Sequence, residues 1–224
     1  MEWDALWLSC QLAAATLALL MPFGVWAGRT LAYHTFRGKA VIEGLVLLPL
    51  VLPPTVLGFY LLVALGGASP IGAWLHETFG VTLVFNFAGL LLASLLFNLP
   101  FVIPPVQRAF EAIDPRLRDA ARVMGLPRYR IFWQVELPLT WRALVAAAVL
   151  TFVHTLGEFG VVLMVGGNIP GETRTIAIAI YDRVQAFDLA AANQMALVLL
   201  LVSLAAVVST FTLSARTASP PHKE

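Results

Sequence analysis

The sequence predicts an all-α integral membrane protein with about five transmembrane helices, the N-terminus outside and the C-terminus inside. Three observations carry that prediction. Hydrophobic residues make up 59% of the 224, charged residues only 12%, and mean hydropathy is +0.84. Soluble domains carry about 25% charged residues, so this composition cannot cover a water-facing surface. Second, Asp, Glu, Lys and Arg are absent from residues 5–28, 44–76, 78–107 and 189–215, and Glu158 alone interrupts a fifth run, 143–171. A helix crosses the hydrocarbon core with about 20 apolar residues, so five runs read as five spans. The short alternating segments of a membrane barrel are missing.

Third, the basic residues fall on alternate sides. Arg29, Arg37 and Lys39 lie between the first two runs. Arg108, Arg116, Arg118, Arg122, Arg128, Arg130 and Arg142 lie between the third and fourth, and Arg216 and Lys223 in the tail. The opposite segments hold only Arg174 and Arg183. The positive-inside rule then fixes the orientation.

Taken in order, the spans are expected at 5–28, 42–66, 83–107, 142–166 and 189–214, within one transmembrane domain of residues 1–216. Glu2 and Asp4 precede the first, which argues against a cleaved signal peptide and for a retained helix. It holds the sole cysteine, Cys10, which excludes an internal disulfide and a multi-cysteine metal site. The second span contains Pro49, Pro53 and Pro54, and the third Pro100, Pro104 and Pro105. Proline frees carbonyls that neighbouring helices or a wet cavity must satisfy, so these positions read as kinks or as gating points. Thr55, Ser94, Asn98, Thr151, Thr155, Asn193 and Gln194 read as interhelical hydrogen-bonding groups, with pore lining as the alternative. Residues 174–187 form an amphipathic helix on the outer face, too short to span. The polar tail 217–224 is expected to be disordered.

The inward-facing segment 108–141 is the least membrane-like part. Asp114 and Pro115 supply an N-cap and a first-turn proline, Gly125 a left-handed stop, and Pro127 a block to continuation. A second short helix is expected from Arg128 to about Glu136, ending at Leu137-Pro138 before the fourth span. Ala120 and Ala121 thin one side of the first helix, so another protein's surface could approach its backbone. This segment is expected to bind a partner. Near-zero net charge excludes a nucleic-acid-binding arm, and no G-x-x-x-x-G-K-[ST] loop occurs for ATP.

Asp119-Ala120-Ala121, Gly125, and, after nine further residues, Val135-Glu136-Leu137-Pro138 resemble the permease signature of ABC importers, E-A-A-x-x-x-G followed by I-x-L-P. Asp119 replaces Glu and Val135 replaces Ile. Leu48-Pro49-Leu50-Val51-Leu52-Pro53-Pro54, Thr155-Leu156-Gly157-Glu158-Phe159-Gly160, and the stretch from Asn168 to Thr175 are similar to molybdate permeases. Sulfate, tungstate and phosphate permeases share the loop and some helix patterns. The resemblance implies an ABC importer permease fold with cytoplasmic coupling helices in a bacterial inner membrane. It implies a homodimer, separate ATPase subunits that hold ATP and Mg, and an external substrate-binding protein. Asp119, Ala120, Ala121, Gly125, Leu137 and Pro138 would then couple to the ATPase. No cofactor is expected in this chain, and no catalytic residue.

Glu158 is the one formally charged residue inside a span, with His154 four residues earlier on the same face. A carboxylate at mid-membrane costs roughly 2.5–3.5 kcal/mol on insertion scales, so it must face protein or water. It reads as a polar latch between helices, as a gate residue, or as the proton-coupling carboxylate of a secondary transporter. With His154, Thr155, Asn98, Pro53 and Pro54 it makes up the intramembrane polar and gate candidates. A bare carboxylate in the path would repel a divalent oxyanion, so direct substrate binding by Glu158 is disfavoured. A zinc site at His154 and Glu158 lacks a third ligand. A membrane-embedded enzyme would need a nucleophile–base pair or metal set that the sequence does not offer.

Overall fold

A computed structural model describes residues 1–216; the expected tail 217–224 lies outside the described residues. The first apolar run folds as α1 (Trp3–Tyr33) and the third as α5 (Phe87–Glu111). These two helices make the principal seam. Gly24 and Gly28, one turn apart on α1, face Val102, Val106 and the backbone at Gln107 of α5. Small residues at this spacing let two helices approach closely, which is how association proceeds where lipid removes the hydrophobic driving force. Around the seam, Leu20, Val102, Val106 and Phe110 are buried together with Leu144 and Ala147.

The second run does not form one straight span. It gives α2 (Lys39–Val51) and α3 (Pro54–Leu65), bent by 111° at Leu52-Pro53. Pro54 lacks an N–H and takes the first-turn position of α3, where that donor has no intrahelical partner anyway. Among the described residues, four helices are long and apolar enough to cross a membrane, and five spans result if the bent pair counts as one. A short outer helix absent from the sequence reading, α4 (Pro70–Phe79), follows, with Ser69 accepting a hydrogen bond from the Gly72 N–H at 2.8 Å. Conversely, Pro100, Pro104 and Pro105 lie within α5, which continues through all three. Pro100 is itself buried, so tight packing accompanies the retained helix.

The inner segment opens with α6 (Pro115–Val123) and α7 (Arg128–Ile131). The expected stop at Leu137-Pro138 does not occur. A π-helical turn, Phe132–Glu136, joins α7 directly to α8 (Leu137–Leu156). The wide turn sends the Leu137 N–H to the Phe132 carbonyl, five residues back, immediately before proline removes the next donor. The fourth span therefore begins on the inner side of its expected boundary. It is also interrupted: α8 ends at Leu156, and α9 (Gly160–Gly166) begins after a break at Gly157–Phe159.

The outer amphipathic segment is α10 (Ile176–Gln185), and the last span is α11 (Leu189–Arg216). Ile176 and Ala179 of α10 are buried against Ala5 and Met195, and Ile178 against Leu12, Leu90 and Val162. The Ser9 hydroxyl accepts from the Ile176 N–H at 2.9 Å, capping α10 from α1. Arg174 and Arg183, the two basic residues on the outer side, both pair with Glu2, at 3.2 and 2.9 Å. Asp182 and Asp188 complete their neutralisation.

Candidate functional site

Two sets of residues are candidates for a functional role, one inside the helix assembly and one on its inner face. Inside, the break after α8 turns Glu158 out of regular helix and toward α5. Asn98 Nδ2 donates to Glu158 Oε1, and also lies 2.9 Å from the Ser94 carbonyl. His154 Nδ1 sits 3.0 Å from Asn98 Oδ1 and 3.6 Å from Glu158 Oε1. The His154 ring lies over Phe101, centroids 4.0 Å apart. Thr16 on α1 donates to Ser94 at 3.1 Å, extending the chain of polar contacts across three helices. Asn98 and Ser94 are fully buried and Glu158 nearly so, whereas His154 is part-exposed. Glu158 Oε2 is buried without a hydrogen-bond partner among the described residues.

An open cavity of about 520 Å³ meets this cluster, lined in part by Pro54, Thr55, Phe97, His154, Glu158 and Gly160. The structure thus brings together four of the six intramembrane candidates: Glu158, His154, Asn98 and Pro54. Pro53 caps α3 beside them. Thr155 is not a member, because its buried hydroxyl donates to the Thr151 carbonyl of its own helix.

On the inner face, Asp114 accepts from the Arg116 N–H at 2.9 Å and starts α6. At the other end Gly125 has φ +78°, a left-handed conformation that costs a side-chain-bearing residue strain. The Leu126 N–H reaches the Ala121 carbonyl and the Gly125 N–H the Arg122 carbonyl, at 3.1 and 2.9 Å. These are the paired bonds of a Schellman stop. The thin face expected from Ala120 and Ala121 is divided. Ala121 is buried against the chain's own helices, and Ala120 is exposed. The outward surface is apolar at its tip instead, with Val123 88% and Met124 72% exposed, beside Leu117 and Asp119. Leu137 packs into the cluster around Val106 and Phe110, while Pro138 is exposed.

A family model described as the binding-protein-dependent transport system inner membrane component matches residues 21–219. The chain belongs to this family. Its relatives include the molybdenum transport system permease ModB of Azotobacter vinelandii, 48% identical over 86% of this chain and 85% of that one. The Escherichia coli ModB is 40% identical over 82% and 80%. The sulfate transport permease CysT of Escherichia coli is 34% identical over 87% and 70%. A solved bacterial ABC transporter for import of the polysaccharide alginate shares the fold, with TM-score 0.79 at 16% identity, covering 96% and 79%. The chain is therefore an inner-membrane permease component of a transport system.

In this permease, the sequence reading missed Glu136. It is the second residue of the Val135-Glu136-Leu137-Pro138 stretch and is fully buried at the π-helical turn. Arg29 of α1 donates to its Oε2 at 2.6 Å and its Oε1 at 3.3 Å, and Arg118 of α6 lies 3.1 Å from the same Oε1. The Arg118 guanidinium sits 3.5 Å from the Tyr33 ring centroid, and the Tyr33 hydroxyl donates to the Phe110 carbonyl. The available signal was one acidic residue late in a segment rich in arginine.

Proposed function

We propose that this permease is the membrane-spanning subunit of an ABC importer for molybdate. A pair of such chains forms the path. ATPase subunits, holding ATP and Mg, dock on the 115–137 segment from inside, and a substrate-binding protein delivers the oxyanion from outside. The observation that carries the coupling role is the apolar tip of α6. Val123 and Met124 stand exposed on a helix fixed at both ends, on the side where the positive-inside rule places the cytoplasm. Exposed apolar groups held this rigidly lower the cost of docking, because little side-chain and backbone freedom remains to be lost. Molybdate is favoured over sulfate by the higher identity of the molybdenum-transport relatives over a comparable share of the chain.

Asp119, Ala120 and the Val123–Gly125 turn form the contact face. Ala121, Leu137 and Pro138 shape it from behind. In the membrane, Glu158, Asn98 and His154 act as a latch that holds the α8–α9 break against α5. The carboxylate is already engaged by Asn98, which fits a holding role better than capture of a divalent anion. Reconstitution with the ATPase and binding protein tests the reading. ATP-dependent uptake of molybdate that needs both partners supports it, and uptake by the purified chain alone, driven by a proton gradient, rejects it.

A further inference from the structure

Arg118 points away from the exposed tip of α6, back toward the spans; its side chain is only 18% exposed. It meets a carboxylate that is fully buried and that also holds Arg29. Three elements of the chain therefore share one charge: α6 through Arg118, α1 through Arg29, and the π-helical turn that opens α8 through Glu136 itself. Glu136 is the counter-charge of both arginines, so the three are held in a single geometry, although either arginine alone still neutralises the carboxylate. The arrangement is also directional. The planar Arg118 side chain is clamped between the Glu136 carboxylate and the Tyr33 ring, leaving it little freedom to swing independently. The π-helical turn that presents Glu136 is a locally widened helix, of the kind that recurs at functional positions.

We propose that Arg118, Glu136 and Arg29 form the joint that converts movement of α6 into movement of α1 and α8. Arg118 and Glu136 are positioning residues: they touch neither the oxyanion nor ATP. The inference rests on the importer reading above. A displaced α6 draws Arg118, the carboxylate follows, and Arg29 carries α1 with it. Since α1 is seamed to α5, the displacement reaches the helix bearing Asn98.

The test uses proteoliposomes containing the permease, its ATPase and molybdate-loaded binding protein. Arg118→Gln leaves Arg29 to neutralise Glu136, so the fold is retained. The ATPase should still co-purify, molybdate uptake should fall about tenfold, and ATP hydrolysed per ion imported should rise at least fivefold. A purely structural role would lower uptake and hydrolysis together, leaving that ratio fixed, and would overturn the proposal. So would uptake within twofold of wild type. Arg118→Lys, which keeps the charge but not the planar clamp, should fall between the two. If Arg118→Gln does not reach the membrane folded, Arg118→Lys is judged by the same ratio. A wild-type chain showing no ATP-dependent uptake would instead defeat the importer reading itself.

Discussion

Asn98 on α5 donates its side-chain amide to Glu158, the residue at which the fourth span breaks between α8 and α9. The contact joins positions sixty residues apart in sequence, and both groups are buried. Leaving a buried donor unsatisfied costs about 1–3 kcal/mol. Glu158→Gln keeps an acceptor oxygen for Asn98 and should retain substantial transport and thermal stability in detergent. Glu158→Leu removes the acceptor of one amide N–H, leaving Asn98 only its contacts to Ser94, and should lose both. Equal loss in the two variants would reject the latch.

The α1–α5 seam makes a prediction about packing. A Cβ placed on Gly28 would stand 2.8 Å from Val106 Cγ1 and 2.9 Å from the Gln107 nitrogen. One of those neighbours is backbone, so the helices must part. Gly28→Leu should destabilise the protein by more than the roughly 1–3 kcal/mol of ordinary overpacking, seen as a sharp fall in folded protein after detergent extraction. Gly44, whose Cβ would meet open space, supplies the control: Gly44→Ala should be close to neutral.

At the end of α6, Gly125 holds a left-handed backbone with open space around its Cβ position. Gly125→Val is therefore penalised by conformation and not by collision, at about 1–2 kcal/mol. That is small against the whole membrane fold but acts wholly on the α6–α7 turn. The variant should remain folded in the membrane while ATPase co-purification and uptake drop. Normal uptake would show that the turn geometry is unimportant.

The exposed tip gives the complementary case. Val123→Ser with Met124→Ser removes apolar surface that the isolated chain does not bury. Thermal stability of the permease alone should be unchanged, and ATPase affinity should fall at least tenfold in a binding titration. Unchanged affinity would place the docking surface elsewhere.

Much of this was legible before the fold was known, because membrane insertion is dictated by composition and charge position. The runs without charge became helices, and the Asp114-Pro115 start and Gly125 stop bracket α6. Other features were not legible, two of them for a clear physical reason. Proline alone cannot say whether a helix breaks: Leu52-Pro53 bends by 111°, while α5 runs through Pro100, Pro104 and Pro105. The difference lies in neighbours contributed by distant parts of the chain. Likewise Glu136 looked like one charge in a polar segment. Its role depends on Arg29, which is 107 residues away and came into view only when α1 was laid beside α8.

In the proposed importer, a separate ATPase drives this permease from its inner face to bring in molybdate. The most direct measurement is ATP hydrolysis and labelled-anion uptake in proteoliposomes holding the permease, the ATPase and the binding protein, compared for molybdate, tungstate, sulfate and phosphate. Uptake should require ATP and all three components, with molybdate stimulating hydrolysis more than sulfate or phosphate. Uptake that persists without the ATPase, or hydrolysis stimulated by sulfate and not by molybdate, would contradict it.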